Sequence, residues 1–256
     1  MTESAWESFA AARDALRQSI ERLEQELPDL QALQQAQASL RSRPYTVETP
    51  IVYNSALDRI EPDSTIRCIL VADNPGRYEQ MAVNRAYLVG PSGKRVERFF
   101  SHELGIDLRK EVLILNKCPI HSARTAGLRE LSVRGGPALQ KALVESQRQM
   151  AQILVRMAQA LAPVPVWIIG YSEMKKGGIF ESFTATLCGM SDFLDQVLLF
   201  RHFSLNQFTM DLKHQSIPGE SVQETLERIG SAYRKRLALV CTGFTSASSP
   251  DHTRQD

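Results

Sequence analysis

The spacing of apolar positions near the amino end of the chain predicts two helices before any strand. In residues 4–27, apolar side chains recur every three or four positions, as on one face of an amphipathic helix. Pro28 ends this helix because proline lacks the amide hydrogen that would continue it. A second helical segment is expected over 30–42, and the turn-rich residues 44–62 predict an irregular connection.

Further along the chain, four short runs are apolar at nearly every position, at 67–72, 112–116, 165–170 and 197–203. Continuous apolar runs of this length are typical of strands that are covered on both faces, as in parallel sheets. Helical patterns separate or follow them, at 92–104, from Pro137 to just before Pro163, and at 220–239. This alternation predicts an α/β fold, a three-layer αβα sandwich around a mostly parallel four-stranded sheet.

The same patterns divide the chain into three regions. Residues 1–45 form a helical extension that packs on the domain, 46–241 form the α/β domain, and 242–256 are a polar tail expected to be disordered. The chain contains no apolar run near the roughly 18 residues that a membrane span requires. Its first residues lack the pattern of a signal peptide. We therefore expect a cytoplasmic protein with no membrane partner.

Charge and cysteine content narrow the classes of function. The net charge is +1, so the chain as a whole is not a basic nucleic-acid binder, although a local contact face would suffice for binding. Residues 76–98 hold five basic and two acidic side chains, which fit either a phosphate-facing patch or ordinary solvated positions. The four cysteines form no C-x-x-C pair. They are expected to be reduced and mostly buried, with no zinc or iron–sulfur site.

Three of the four predicted strands end in a side chain suited to hydrogen bonding. These are Asn74 after the first strand, Asn116 at the end of the second, and His202 near the end of the fourth. Each has an ordinary structural explanation, as a turn residue, a loop cap or a core histidine. The carboxyl ends of parallel strands meet at one edge of the sheet, where ligands bind. Together, the three side chains predict a site for an uncharged, hydrogen-bonded group.

Several common kinds of site are not indicated. The first strand is followed by neither a phosphate-binding P-loop nor the G-x-G-x-x-G pattern of dinucleotide-binding folds. The chain lacks the G-x-S-x-G elbow of α/β hydrolases. The five histidines are scattered, without the spacing of metal ligands. We therefore expect no cofactor, no metal, and no serine or cysteine nucleophile.

Three motifs occur in order at these strand ends. They are Asn74-Pro75-Gly76, Asn116-Lys117-Cys118-Pro119, and His202-x-Ser204. The ordered set resembles the uracil-DNA glycosylase superfamily, and is most similar to its single-strand-selective monofunctional type. A fourth similarity is the segment from Tyr87 to Gly93 followed by Arg95, which resembles the part of the family that covers the base. The resemblance extends over roughly 68–239 and implies a uracil-DNA glycosylase-like fold.

The sequence departs from the family pattern at several positions. Ala72 stands where the family has glycine, and Asp73 where an apolar residue is common. Phe203 and Leu205 replace the two prolines that flank the serine of the family's H-P-S loop. Leu88 occupies the position expected for the aromatic side chain that stacks on the base.

The resemblance implies a role for each matching residue. The catalytic pair would be Asn74, which holds the attacking water, and His202, which as a neutral imidazole donates a hydrogen bond to the departing base. Asn116 would read the edge of uracil. The remaining substrate-binding residues would be Asp73, Pro75, Gly76, Tyr87, Leu88 and Ser204, and the expected DNA contacts are Ser92, Lys94, Arg95, Arg124 and Thr125.

The favoured function is therefore a monofunctional DNA glycosylase of base-excision repair. It would hydrolyse the N-glycosidic bond of uracil or a related deaminated base in DNA, without metal or covalent intermediate. The target base would leave the stack to enter the site, and the protein would act as a monomer. Two alternatives remain open: a catalytically silent nucleic-acid-binding protein on the same scaffold, and a glycosidase for free nucleosides or another small ligand.

Overall fold

The two predicted amino-terminal helices are present. The structure, a computed structural model, describes residues 1–245, except the side chains of residues 191–192, 238–239 and 242–245. Helix α1 spans Glu3–Glu26 and helix α2 spans Leu30–Ser39. Helix α2 is shorter than predicted. The expected irregular connection contains one short 3-10 helix, Ser55–Arg59.

Strands and helices then alternate as the sequence predicts. In chain order they are β1 (Cys68–Ala72), α3 (Pro91–Leu104), β2 (Val112–Asn116), α4 (Thr125–Arg134), α5 (Gly136–Ala160), β3 (Val166–Ile169), α6 (Glu181–Cys188), α7 (Ser191–Leu194), β4 (Val197–Phe200), α8 (Gln207–Gln215) and α9 (Val222–Thr245). The sequence patterns did not reveal α4, α6, α7 and α8, which are all short. Helix α9 continues to Thr245, and the rest of the predicted tail, 246–256, lies outside the described residues.

Over the described residues, the sheet has four strands in the order β2-β1-β3-β4, and every pairing is parallel. Ala72 at the end of β1 lies opposite Asn116 at the end of β2. Since β2 lies on the outer side of β1 and β4 on the outer side of β3, the chain leaves β1 and β3 in opposite directions. This arrangement opens a crevice beyond the carboxyl ends of the two central strands.

Helices flank this sheet and bury it. Residues of β1, β2 and β3 are buried throughout, which explains why these strands are apolar at every position. Helix α1 packs on α5, and α5 packs on α6. Helix α9 packs on β4, where Gly230 leaves room for the side chains of Leu198 and Phe200. Helix α9 also contacts α3, and α2 contacts α4.

The cysteines correct one expectation from the sequence. Cys68 and Cys118 are buried and free, as predicted. Cys188 and Cys241 form a disulfide, so the prediction of four reduced thiols is wrong for this pair. The two residues are 53 positions apart in sequence, and they meet because α6 packs against α9. No helix in the described part of the chain is both long and apolar enough to cross a membrane.

Candidate functional site

A cavity of about 460 Å³ opens at the carboxyl ends of the central strands. Nine of the residues that the sequence predicted for the site line this cavity: Asp73, Asn74, Gly76, Leu88, Ser92, Arg124, Thr125, His202 and Ser204. They come from the ends of β1 and β4, from the loop before α3 and the start of that helix, and from the start of α4. The parallel sheet therefore gathers most of the predicted site.

The hydrogen bonds of Asn74 orient its carboxamide. Its Nδ2 donates to the carbonyl oxygens of Pro75, at 3.2 Å, and Ser122, at 3.1 Å. Its Oδ1 has no protein partner among the described residues, and Asn74 lines the cavity. The side chain is thus held as a hydrogen-bond acceptor for a group in the cavity, such as a water molecule.

A buried histidine outside the predicted set supports the Asn74 turn. The Nδ1 of His121 lies 2.9 Å from the carbonyl oxygen of Pro75, and its Nε2 lies 2.9 Å from the hydroxyl of Tyr45. Burial lowers the pKa of His121 to about 4, so the imidazole is neutral near pH 7. As a neutral tautomer protonated on Nδ1, it donates to Pro75 and accepts from Tyr45. Pro75 itself contributes this carbonyl but does not line the cavity.

The backbone that follows β4 fixes His202 in one tautomer. The amide of Ser204 donates to Nδ1 of His202 at 2.9 Å, so in the neutral ring the proton is on Nε2. Burial lowers the pKa of this imidazole; the charge of Asp73 opposes that effect, and the charge of Lys117 adds to it. His202 therefore lines the cavity as a neutral imidazole that can donate a hydrogen bond from Nε2–H.

Asp73 forms an ion pair with a lysine that sequence reasoning did not assign to the site. The Nζ of Lys117 lies 2.5 Å from Oδ1 of Asp73, and the lysine side chain is 0% exposed. Thr125 donates its hydroxyl to the other carboxylate oxygen at 3.0 Å. Burial lowers the pKa of Lys117, and Asp73 opposes that effect. In the sequence, the one sign that Lys117 belongs to the site was the position of a charged residue directly after an apolar strand.

Glu79 is a second site residue that sequence reasoning missed. It lines the cavity, and its two carboxylate oxygens accept the backbone amides of Gly76, at 2.8 Å, and Leu88, at 2.9 Å. The carboxyl group thus ties the turn after β1 to the loop before α3. Burial raises the pKa of Glu79 to about 7, against the opposing effects of the two amides and of Arg109.

The loop before α3 presents Leu88, not Tyr87, to the cavity. The Tyr87 side chain is buried in the core, and its hydroxyl donates to the carbonyl oxygen of Val52 at 2.6 Å. Leu88 has a positive φ of 55°, and its carbonyl oxygen accepts a hydrogen bond from Arg109 at 2.6 Å. A Cβ at position 93 would lie 1.5 Å from that same oxygen, so only glycine fits there. Tyr87 does not line the cavity, and its predicted contact with the substrate remains a prediction.

The structure does not bring Asn116, Lys94 or Arg95 to the cavity wall. Asn116 is 1% exposed, and its Nδ2 has no hydrogen-bond partner among the described residues. It lies beside the wall, since its register partner Ala72 does line the cavity. Lys94 and Arg95 are exposed in the first turns of α3. Their predicted roles, in base reading and DNA contact, remain predictions.

The loop after β4 shows what the residues replacing the two expected prolines do. Phe203 is buried and stacks on Phe208, with ring centroids 4.0 Å apart. Leu205 and Asn206 have positive φ values of 53° and 58°. The side chain of Leu205 is 80% exposed. One replacement therefore anchors the loop in the core, and the other places an apolar side chain in solvent near the cavity.

The cavity offers a defined set of polar groups. Neutral His202 donates, Asn74 accepts, and the Asp73 carboxylate provides negative charge that is partly compensated by Lys117. Within the described part of the chain, no three or more His, Cys, Asp and Glu side chains are grouped so that they could hold a metal ion. Such a set suits a reaction in which charge separates between a leaving group and a cationic centre.

Comparison of the chain with models of known protein families and with curated proteins finds no match.

Proposed function

We propose that this protein is a monofunctional DNA glycosylase that hydrolyses the N-glycosidic bond of uracil or a related deaminated base. One observation carries the proposal. Asn74 and His202, from the ends of β1 and β4, line the same cavity, and their backbone hydrogen bonds leave one acceptor and one donor for a substrate. These are the two functions that water positioning and leaving-group stabilisation require.

The proposed chemistry separates charge across the bond that breaks. As the bond between the base nitrogen and C1′ lengthens, positive charge develops on the sugar and negative charge on the base, as in other glycosyl hydrolysis. The Nε2–H of His202 donates to the base oxygen where the negative charge develops. One such fixed donor is worth about 3 kcal/mol in the transition state.

The attacking water would be held by Asn74. Its Oδ1 accepts a hydrogen bond from the water, which then forms the new bond to C1′. An amide is too weak a base to remove a proton, so the contribution of Asn74 is orientation. The carboxylate of Asp73, on the same wall, favours the cationic sugar electrostatically. The base leaves with the bonding electron pair, and the water loses its proton to solvent.

The shape of the rim supports DNA as the substrate. A base within a duplex must leave the stack to reach a cavity at the end of a sheet. Leu205 is an exposed apolar side chain on the loop that carries His202, and apolar side chains commonly fill or widen base steps in DNA complexes. Arg124 lines the cavity, and Lys94 and Arg95 are exposed on α3, where phosphate contacts are possible.

The proposal also covers the type of fold, the role of Asn116, and the location and oligomeric state of the protein. A three-layer αβα sandwich of the uracil-DNA glycosylase type is part of the proposal and is supported by the order of the four parallel strands. The unpartnered amide of buried Asn116, beside the wall, supports its proposed contact with the base. We propose that the enzyme acts as a cytoplasmic monomer.

One observation bears on the alternative of a free-nucleoside glycosidase, which would need carboxylates to bind ribose hydroxyls. Glu79 and Glu173 join Asp73 on the cavity wall. However, both carboxylate oxygens of Glu79 accept backbone amides, and those of Asp73 contact Lys117 and Thr125. In Glu173, Oε2 accepts the amide of Ile179 and lies 3.6 Å from Arg129, and Oε1 has no partner among the described residues. Because one carboxylate oxygen is left where ribose hydroxyls would need several, the wall favours a glycosylase that recognises the base.

Release of uracil from a labelled single-stranded oligonucleotide with one deoxyuridine tests the proposal. Strands with hypoxanthine or xanthine, their duplex forms, and free deoxyuridine are assayed alongside, without added metal. We expect release from at least one lesion-containing DNA and none from the free nucleoside. Retention of the protein on DNA without release from any strand would instead support the silent binder. Cleavage of free deoxyuridine alone would support the nucleoside glycosidase.

A further inference from the structure

Lys117 is a charged side chain in an unusual position, fully buried directly after the last residue of β2. Besides the carboxylate of Asp73, its Nζ contacts two backbone carbonyl oxygens, of Ile169 at 2.6 Å and Gly170 at 3.4 Å. The ammonium also lies 5.0 Å from the centre of the Phe180 ring. Burying an ammonium is costly unless its donors are paired, and here the site supplies three acceptors.

The ammonium joins three of the four strand ends. Its partners follow β1, end β3, and begin the loop after β3, while Lys117 itself follows β2. Gly170 has a φ of +80°, and a Cβ there would lie 2.6 Å from Oδ1 of Asp73. A glycine at this position therefore allows the carboxylate to sit at the base of the cavity, against the lysine.

The carboxylate of the ion pair shares the cavity wall with His202. Asp73 is 16% exposed and lines the cavity with His202, and the charges of both Asp73 and Lys117 affect the imidazole. A carboxylate alone would attract a proton to the ring. Protonation would occupy Nδ1 and break its bond from the amide of Ser204, which needs a lone pair there.

Other charged groups line the same cavity but do not replace Lys117. Glu79 and Glu173 are acidic, so they oppose the effect of the lysine, and both are engaged by backbone amides. Arg124, at the start of α4, is exposed, and solvent weakens its influence. The chain neighbour Arg201 is also exposed. Lys117 is therefore the buried positive charge next to Asp73.

We propose that Lys117 is a positioning residue that compensates Asp73, so that His202 stays a neutral Nε2–H donor while Asp73 remains an anion on the cavity wall. The inference rests on the proposed function, which gives His202 its role. It does not make Lys117 a nucleophile. Complete burial and three acceptors keep Nζ away from the substrate, in agreement with a monofunctional reaction.

Titration of the imidazole by NMR tests the inference without substrate. The Cε1–H signal of His202, assigned by its loss in His202→Ala, is followed with pH in the parent, Lys117→Met, Asp73→Asn and the double variant. Removing the cation should raise the pKa of His202, because Asp73 then attracts the proton unopposed. Removing the carboxylate should lower it, and the double variant should lie between the two single variants. Lys110→Met, which removes an exposed lysine before β2, is the matched control and should leave the titration unchanged.

The outcomes separate the inference from the proposed function. If folded Lys117→Met titrates like the parent, the inference is overturned. If that variant does not fold by circular dichroism, Asp73→Asn decides, and an unchanged or raised His202 pKa overturns it. If the parent releases no base from DNA, the proposed function fails while the titration still decides the role of Lys117. If the parent does release base from DNA, the acidic limb of the pH–rate profile of Lys117→Met should lie at higher pH than that of the parent.

Discussion

The side chains of Asn74 and His202 share one feature at the scale of single residues. In each, a backbone contact occupies one part of the polar group and leaves the complementary part for the cavity. The contact thereby decides what chemistry the residue offers: Asn74 can accept, and His202 can donate. Neither needs an altered charge state to act near neutral pH.

Removing either group should abolish most turnover while leaving DNA affinity nearly unchanged. We expect Asn74→Ala and His202→Ala each to lower the rate of base release by about a hundredfold or more, because each removes a fixed hydrogen bond at the reacting centre. Single-turnover release and a separate binding titration measure the two effects. His214→Ala, which removes an exposed histidine of α8, is the control. Parental cleavage by both site variants would show that the assignment is wrong.

Glu79 should make stability depend on pH. Its pKa is raised to about 7 in the folded protein, so its contribution to stability is complete below its ordinary pKa and is lost as pH rises through about 7. The free energy of unfolding of the parent, relative to that of Glu79→Gln, should therefore fall between about pH 5 and pH 8. Urea denaturation at several pH values measures this difference. Exposed Glu103→Gln should not show the trend, and a constant difference for Glu79→Gln would contradict the prediction.

At the scale of elements, helix α2 and the loop after β2 support the candidate site through hydrogen bonds. Helix α2 turns two buried glutamines towards the turn after β2 and the start of α4. Gln34 donates to the carbonyl oxygens of Pro50 and His121, and Gln37 donates to that of Gly127. His121 in turn contacts Pro75, beside Asn74. The amino-terminal extension is thus connected to the candidate site by successive hydrogen bonds, from Gln34 to His121 and from His121 to Pro75.

The contact between α3 and the loop before it depends on a glycine. In Gly93→Ala, the added methyl group would meet the carbonyl oxygen of Leu88, so the loop or the helix must shift. We expect a loss of about 1–3 kcal/mol in the free energy of unfolding, with slower base release because Leu88 lines the cavity. Chemical denaturation and the release assay measure these effects. In Gly189→Ala the nearest atom is 3.4 Å from the new Cβ, and stability should change by about 0.5 kcal/mol or less. Equal effects of the two substitutions would contradict this reasoning.

At the scale of the whole molecule, the order of the four parallel strands creates the crevice. Chain segments that are far apart in sequence, after β1 and after β4, meet there because β1 and β3 are neighbours and β4 pairs with β3. Helix α9 packs against β4 and is joined covalently to α6.

The disulfide between Cys188 and Cys241 should stabilise the folded protein. It closes a loop across a sequence separation of 53 residues, and closing such a loop restricts the unfolded chain. Reduction should lower the free energy of unfolding by about 2–4 kcal/mol. Urea denaturation with and without a thiol reductant measures the difference. The variant with serine at both positions should not respond to reductant, and a parent that does not respond would contradict the prediction.

The sequence determined the parts of this protein that depend on local pattern. Strands covered on both faces need apolar side chains at every position, so β1 to β4 could be located to within a few residues. Parallel strands share one carboxyl edge, so side chains at strand ends could be placed together. Asn74 and His202 were predicted to share a site for that reason, and they line one cavity.

Only the tertiary structure decided contacts that depend on strand order and on the direction of side chains. Lys117 and Glu79 carry charges that are ordinary in sequence, and only the neighbours that surround them make them part of the site. Tyr87 and Leu88 are adjacent, and the positive φ of Leu88 accompanies a backbone path that buries the tyrosine and turns the leucine to the cavity. The pairing of Cys188 with Cys241 likewise required the packing of two helices, because spacing along the chain says nothing about distance in space.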